Sequence, residues 1–244
     1  MTPAVRRALF VGAGAGLTAL LLWALAGLPD FGHYRGPYGL VLNRVAVSER
    51  HATDVVTAVV FDYRGFDTLG EEFILFASAL GTALLLRGVR GVGREIPKPT
   101  SGPALRTLAA ALAAGVLVLG LFVVAHGYIT PGGGFQGGVV LASSLVVVYL
   151  TAGFQSFRKL GPTAYVDLAE GLGAGGYVAL GLAALVSGSA FLANVLPLGR
   201  TGTLLSSGTI PLLNAAAAVA VTAAFVLVFT EFLEEVATRG SGGQ

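Results

Sequence analysis

From Ala8 to Leu28 the chain carries no Asp, Glu, Lys or Arg. A helix needs about 20 apolar residues to cross the hydrocarbon core of a bilayer, and this run is long enough. Five more runs of similar character follow: Thr68–Leu86, Ala104–Ala125, Gly137–Phe154, Pro162–Val186 and Ile210–Phe232. A shorter apolar run, Thr53–Phe61, is only about half the length needed to span. The pattern predicts an all-α integral membrane protein with about six transmembrane helices plus one short interfacial or re-entrant helix. Composition agrees. The 244 residues are 55% hydrophobic and 11% charged, with a mean hydropathy of +0.80. Soluble domains carry about 25% charged residues, so a soluble fold is excluded. The 36 glycines suit helices that approach one another closely in lipid. The first run is read as a retained helix, because it is long and no A-x-A-type cleavage site follows it.

Basic residues orient the spans. With the N-terminus in the cytoplasm and Thr53–Phe61 not crossing, Arg6, Arg7, the linker from Arg87 to Arg106, Arg158, Lys159 and Arg239 all lie inside. Arg35, Arg44, Arg50, Arg64 and Arg200 then lie outside. This satisfies the positive-inside rule and predicts both termini in the cytoplasm. The linker, broken by Pro97, Pro99 and Pro103, divides the chain near residue 100. Residues 1–100 hold two spans and the short segment, and residues 101–244 hold four spans. Residues 29–50 are expected to be a polar loop, and the Gly-Ser end at 240–243 a frayed tail.

Several function classes are excluded. Cysteine is absent, so disulfide frameworks and thiolate metal sites are excluded. The three histidines are scattered and form no zinc motif, so no metal and no cofactor is expected. A net charge of +2, with basic residues confined to membrane flanks, gives no support for nucleic-acid binding. No nucleophile–base spacing suggests an intramembrane hydrolase.

Against this apolar background, Asp62-Tyr63-Arg64-Gly65-Phe66-Asp67-Thr68-Leu69-Gly70-Glu71-Glu72 is a dense patch of charge. Charge at a membrane edge is costly unless paired, hydrated or used. Asp67 and Glu71 are four apart, and on a helix starting near Thr68 they share a face of its first turn. Two readings are open. The pair can bind a cation or exchange a proton, since carboxylates ligate hard cations and shift their pKa when desolvated. Alternatively, Asp67 caps the helix and Glu71 complements its dipole. Arg64 is placed to neutralise one of these acids, and Asp62 is as well placed for Arg64 as for any other partner.

A second feature is the glycine loop His126-Gly127-Tyr128-Ile129-Thr130-Pro131-Gly132-Gly133-Gly134-Phe135-Gln136-Gly137-Gly138. It lacks the Lys-Ser/Thr of a P-loop and lies between membrane runs, so it reads as a close-packed helix connection. Pro131 stops the preceding helix. His126 is either a proton carrier or an ordinary interfacial residue. Further on, Asp167 and Glu170 are three apart on one predicted helix and should share a face. They either line a hydrated ion path or contact a neighbouring subunit, and Arg158 and Lys159 are the nearest counter-charges in sequence. Glu231, Glu234 and Glu235 end the last run, where negative charge opposes the helix dipole. Solvation or a partner's basic residues would explain them.

Asp62 to Glu71 resembles the D-F-R-G-F-D-T-L-G-E signature near the C-terminal end of the large A subunit of Mrp/Mnh-type multisubunit cation/proton antiporters. Tyr63 stands where Phe is usual. The same module resembles a small separate subunit of membrane-bound hydrogenases. The glycine loop resembles the G-H-x-x-P-G-G-G-F-x-G-G signature of the B subunit of those antiporters. His126, Pro131, Gly132, Gly133, Gly134, Phe135, Gly137 and Gly138 match it, whereas Ala125 and Tyr128-Ile129-Thr130 depart from it. Glu170-Gly171-Leu172-Gly173-Ala174 resembles the start of the third helix in that B-type family, which makes Glu170 the better candidate of its pair.

The resemblance implies a fusion of two modules. Residues 1–100 would be the C-terminal module of an A-type protein, and residues 101–244 a B-type four-helix domain. It implies a non-catalytic subunit of a Na⁺/H⁺ antiporter in the cell inner membrane. Its partners would be other antiporter subunits (large proton-channel subunits and small membrane subunits), the bilayer, Na⁺ and H⁺. The candidate ion-pathway residues are Asp62, Arg64, Asp67, Glu71, His126, Asp167 and Glu170. The alternative is the membrane arm of a ferredoxin-driven hydrogenase-like or complex I-related redox complex. A scaffold between transport subunits is a third reading.

Overall fold

The computed structural model describes residues 3–28, 36–87 and 102–239, with side chains as far as residue 234. The expectations for most of the basic linker (Arg90, Arg94, Lys98), for the chain's extreme ends and for the Glu235 and Arg239 side chains lie outside the described residues. The described residues form eight α-helices: α1 Pro3–Ala26, α2 Pro37–Arg50, α3 Val55–Ala58, α4 Gly65–Arg87, α5 Pro103–Ala125, α6 Gly134–Leu160, α7 Thr163–Val186 and α8 Ile210–Arg239. A π-helix, Val59–Tyr63, links α3 to α4. Among the described residues there is no strand, only an isolated bridge between Gly199 and Ser206.

Six of these helices are long and apolar enough to cross a membrane: α1 and α4 to α8. The fold class and the count of spans therefore agree with the sequence. The segment before α4 has four residues of α-helix and five of π-helix. At about 1.5 Å per residue it is far shorter than the ~30 Å hydrocarbon core. The expected polar loop at 29–50 is corrected in part, because residues 37–50 form α2. Its apolar residues recur at helical spacing but are too few for a span, and Leu42 and Ala46, four apart, are buried. α6 also outruns its expected end. It breaks at Gly153, whose φ of 78° is open to glycine, and continues to Leu160. The piece beyond the break is held because Phe154 and Phe157 are buried in the core.

The chain divides into two compact units, Met1–Val41 and Leu42–Gln244. The first contains α1, a single apolar helix with no buried residue. The second is the helix bundle. Its central element is α8, which packs against α4, α5, α6 and α7. α8 is apolar on all sides and rich in alanine, which suits a helix surrounded by others. Ala217, Ala218, Ala220, Val221, Ala223 and Ala224 are all buried along it.

The bundle has two hydrophobic clusters. One gathers Phe61, Tyr128, Tyr177, Ile210 and Leu213 near the start of α4, here called the signature end. The other gathers Ala79, Ala83, Phe157, Val166 and Leu227 toward the far end of α4, here called the Arg87 end.

Candidate functional site

The two sequence signatures meet at the signature end. The Thr57 hydroxyl lies 2.6 Å from the Gly127 carbonyl, and the Asp54 N–H donates to the Tyr128 carbonyl at 3.2 Å. The glycines let the loop and the start of α6 lie close against α5 and α8. A Cβ on Gly134 would overlap the Asn214 carbonyl oxygen, and one on Gly137 would overlap Val124 Cγ2. Gly133 has a φ of 138°, which disfavours any side chain. Between the signatures lies a cavity of about 240 Å³, bordered by Thr57, Thr68 and Glu71 on one side and by Gly132, Gly133 and Gln136 on the other. Pro131 and Gly138 flank the same loop, and Gly138 packs closely on Val221 of α8.

Three charges of the first signature are paired, Arg64 with Asp67 as the spacing allows and Asp62 with a distant segment. Asp62 does not pair with Arg64. Its Oδ1 lies 2.9 Å from Arg50 Nε, and its Oδ2 accepts from Asn194 Nδ2 at 2.9 Å. Arg50 also stacks 4.7 Å over the Tyr63 ring. The Tyr63 hydroxyl donates to Glu49 at 2.6 Å. Burial and this bond push its phenol up to about 12. Arg64 Nε donates to Asp67 Oδ2 at 2.6 Å, and both side chains are half exposed. Asp67 and Glu71 do sit in the first two turns of α4, which starts at Gly65, earlier than Thr68.

Glu72 is the residue that spacing alone did not single out. It is 1% exposed, and neither carboxylate oxygen has a hydrogen-bond partner. Helical phase explains why. Thr68, Glu72, Ala79 and Ala83 are the buried side chains of α4 and form one stripe, whereas Glu71 lies about 100° away on an exposed face. Helical spacing sets the two glutamates on different faces, and packing against the bundle selects the face that is buried. At the start of α4, the Thr68 hydroxyl donates to the Val60 carbonyl at 2.5 Å. The buried Tyr177 hydroxyl of α7 donates to the Gly65 carbonyl at 3.1 Å.

On α7, Asp167 and Glu170 part ways. Glu170 is 3% exposed, and its Oε1 has no partner. Asp167 is exposed and takes a two-point contact from Arg87, at 3.2 and 3.4 Å. Arg87 also donates to Glu231 Oε1 at 2.7 Å, and Glu231 is fully buried. Arg158 pairs with Glu234 at 3.2 Å and bonds Thr163. The counter-charge of Asp167 is therefore Arg87 on α4, not Arg158 or Lys159. Glu231 and Glu234, near the end of α8, likewise find intramolecular cations.

His126 ends α5, half buried, and stacks on Phe122 with ring centroids 4.2 Å apart. It is not among the cavity-lining residues. Asn214 of α8 donates to the Val124 carbonyl at 2.7 Å, leaving its buried Oδ1 without a partner. Among the described residues no group of three His, Cys, Asp or Glu side chains gathers to hold a metal ion.

Comparison with known proteins adds several likenesses. Residues 104–227 match the family of domains related to the MnhB subunit of Na⁺/H⁺ antiporter, and residues 5–101 match the E subunit of MBH. A chain of the membrane-bound sulfane sulfur reductase, an archaeal respiratory membrane complex, is 31% identical with a TM-score of 0.72. That alignment covers 94% of this chain and 98% of that one. A chain of the Mrp complex from Dietzia sp. DQ12-45-1b shares the fold, with a TM-score of 0.71 and 24% identity. It aligns with all of this chain over 27% of its own length. An uncharacterized protein of Methanocaldococcus jannaschii is 29% identical over 215 residues, covering 76% of this chain and 81% of that protein.

Proposed function

We propose a function on the premise that the chain belongs to the family of proteins with a domain related to the MnhB subunit of Na⁺/H⁺ antiporters. It is a non-catalytic membrane subunit of an Mrp-type cation/proton antiporter, assembled with other membrane subunits, and Na⁺ is the coupled cation. Residues 1–100 form the A-type module and residues 101–244 the B-type domain, a division that the two family matches support. The chain sits in the cell inner membrane with both termini cytoplasmic, so the signature end faces outward and the Arg87 end faces the cytoplasm.

One observation carries the reading: Glu72 and Glu170 are buried carboxylates with unpartnered oxygens, on two helices that pack against each other. A buried intramembrane carboxylate oxygen without a hydrogen-bond partner is unfavourable for stability alone, which favours a role in ion or proton movement. The route begins at the cavity beside Glu71, passes Glu72 and Glu170, and leaves at the Arg87 end beside Asp167, which Arg87 holds in place. Asp62 and Asp67 lie next in sequence to the cavity-lining residues, where their ion pairs, that of Asp67 with Arg64, hold the entrance in shape, and His126 lies at the end of α5 outside the lining. The test is proton and Na⁺ flux in vesicles carrying the whole complex, with Glu72→Gln, Glu71→Gln and Glu170→Gln variants. The expected result is impaired antiport with assembly intact. Unchanged flux and unchanged cation dependence in all three would refute the route.

A second reading has its own support. The 31% identity to a chain of the sulfane sulfur reductase extends over nearly the full length of both chains. It favours membership of the membrane arm of a redox-driven complex, in which the same helices would move ions under redox control. Identification of the subunits that co-purify decides between them: iron–sulfur subunits support the redox complex, and their absence supports the antiporter.

A further inference from the structure

The bundle carries a second cavity that the ion route does not use. It is a groove of about 630 Å³, floored by α8 at Ala218, Thr222 and Val226 and walled by Val124 of α5 and by Val166 and Ala169 of α7. The small residues of α8 make it deep, and its lining is almost wholly hydrocarbon. Along α8 it extends from Ala215 to Val226, about 16 Å at 1.5 Å per residue. That is close to half of the ~30 Å hydrocarbon core, the depth of one leaflet.

Its two ends differ in charge. At one end the lining residues are Val124, Ala125 and Ala215, all apolar. At the other the groove opens at Leu160, Gly161 and Tyr165, directly after Arg158 and Lys159. Lys159 is exposed there, and Arg158 keeps about a third of its side chain exposed while it holds Glu234. The first turn of α7, which begins at this mouth, contains no acidic residue. An apolar slot one leaflet deep, with Arg158 and Lys159 next in sequence to one mouth, complements a molecule with one anionic end and a long hydrocarbon tail. Basic pockets between membrane helices bind anionic lipid headgroups on this principle. We propose that the groove holds one acyl chain of an anionic phospholipid, with its phosphate held at Lys159 and Arg158. The site rests on the membrane reading of the chain and is independent of the antiport reading.

The test is lipid analysis by native mass spectrometry of the whole complex, purified in mild detergent and exchanged into phosphatidylglycerol or phosphatidylcholine. The expected result is retained phosphatidylglycerol in preference to phosphatidylcholine. Lys159→Ala should lower that preference about fivefold, the worth of one lysine at a lipid surface. Ala169→Trp and Ala215→Trp, which fill the groove from its rim, should release the lipid, whereas Leu172→Trp elsewhere on α7 should not. Helical content and assembly, checked in each variant, separate loss of lipid from loss of fold. Equal retention of both lipids, or retention unchanged by both tryptophans, overturns the proposal. A cross-link from Ala169→Cys to a co-purifying protein also overturns it, because a partner helix then fills the groove. The chain has no native cysteine to confuse that result.

Discussion

The two ends of the buried stripe on α4 handle charge in opposite ways. At Arg87, one guanidinium serves the carboxylates of Asp167 and Glu231, so three charged groups on three helices satisfy one another. At Glu72, about 22 Å away along the helix axis at 1.5 Å per residue, a buried carboxylate has no hydrogen-bond partner. The first arrangement ties α4 to α7 and α8, a structural use of buried charge. The second adds no hydrogen bond to the fold, and on the proposed function its carboxylate meets an ion or proton that comes and goes. On that proposal, the contrast separates charge that holds helices together from charge that moves ions.

The comparison can be broken most forcefully at Arg87. Arg87→Leu removes the cation that lies 2.7 Å from buried Glu231, which should cost about 3 kcal/mol, the low end for such a loss because the guanidinium is a third exposed. A thermal melt of the purified complex should show it. Arg87→Leu with Glu231→Leu should recover much of the loss, and no recovery would mean that the pair is not the tie described. The other side of the contrast is Glu72→Gln, which should leave the melting temperature nearly unchanged. Flux should fall on the order of 100-fold, as when a positioned proton-transfer group is removed. A large fall in stability with flux intact would reverse the two roles.

A smaller effect is expected at the exposed pair. Asp67→Asn breaks only its contact with Arg64 at the surface, and should change stability by less than about 1 kcal/mol in the same melt. The smallest sharpening comes from Tyr63. Its folded-state value lies above the ordinary phenol, up to about 12 against 10.0. The un-ionised form is therefore the one that folding favours. The stability it contributes should be fully present below about pH 10 and lost as pH rises toward 12. Burial raises Tyr128 as well, so ultraviolet titration should find more than one phenol ionising late, and Tyr63→Phe should remove one of them with no change in flux.

Much of the architecture was legible from local properties. Run lengths and hydropathy located all six spans, and the Pro131–Gly138 stretch marked a tight connection. α2 was missed because its modest apolar content resembles a loop until Leu42 and Ala46 are seen buried on one side. The extent of α6 was missed because Gly153 interrupts a helix whose aromatic residues still belong to the core. Within the site, Asp67 and Arg64 are three apart and their pairing can be read from spacing. Asp62 could not be read that way, because its partners Arg50 and Asn194 come from distant segments.

The sequence by itself determined that the chain is a bundle of membrane helices carrying two signatures, because length, hydropathy and motif are properties of neighbouring residues. Only the tertiary structure decided which of two adjacent glutamates is buried against the bundle. It also decided that Arg87 neutralises Glu231, 144 positions away. The physical reason is that a charge in lipid is either satisfied or exposed to its full cost by groups on other helices. Those groups are chosen by packing, not by proximity along the chain.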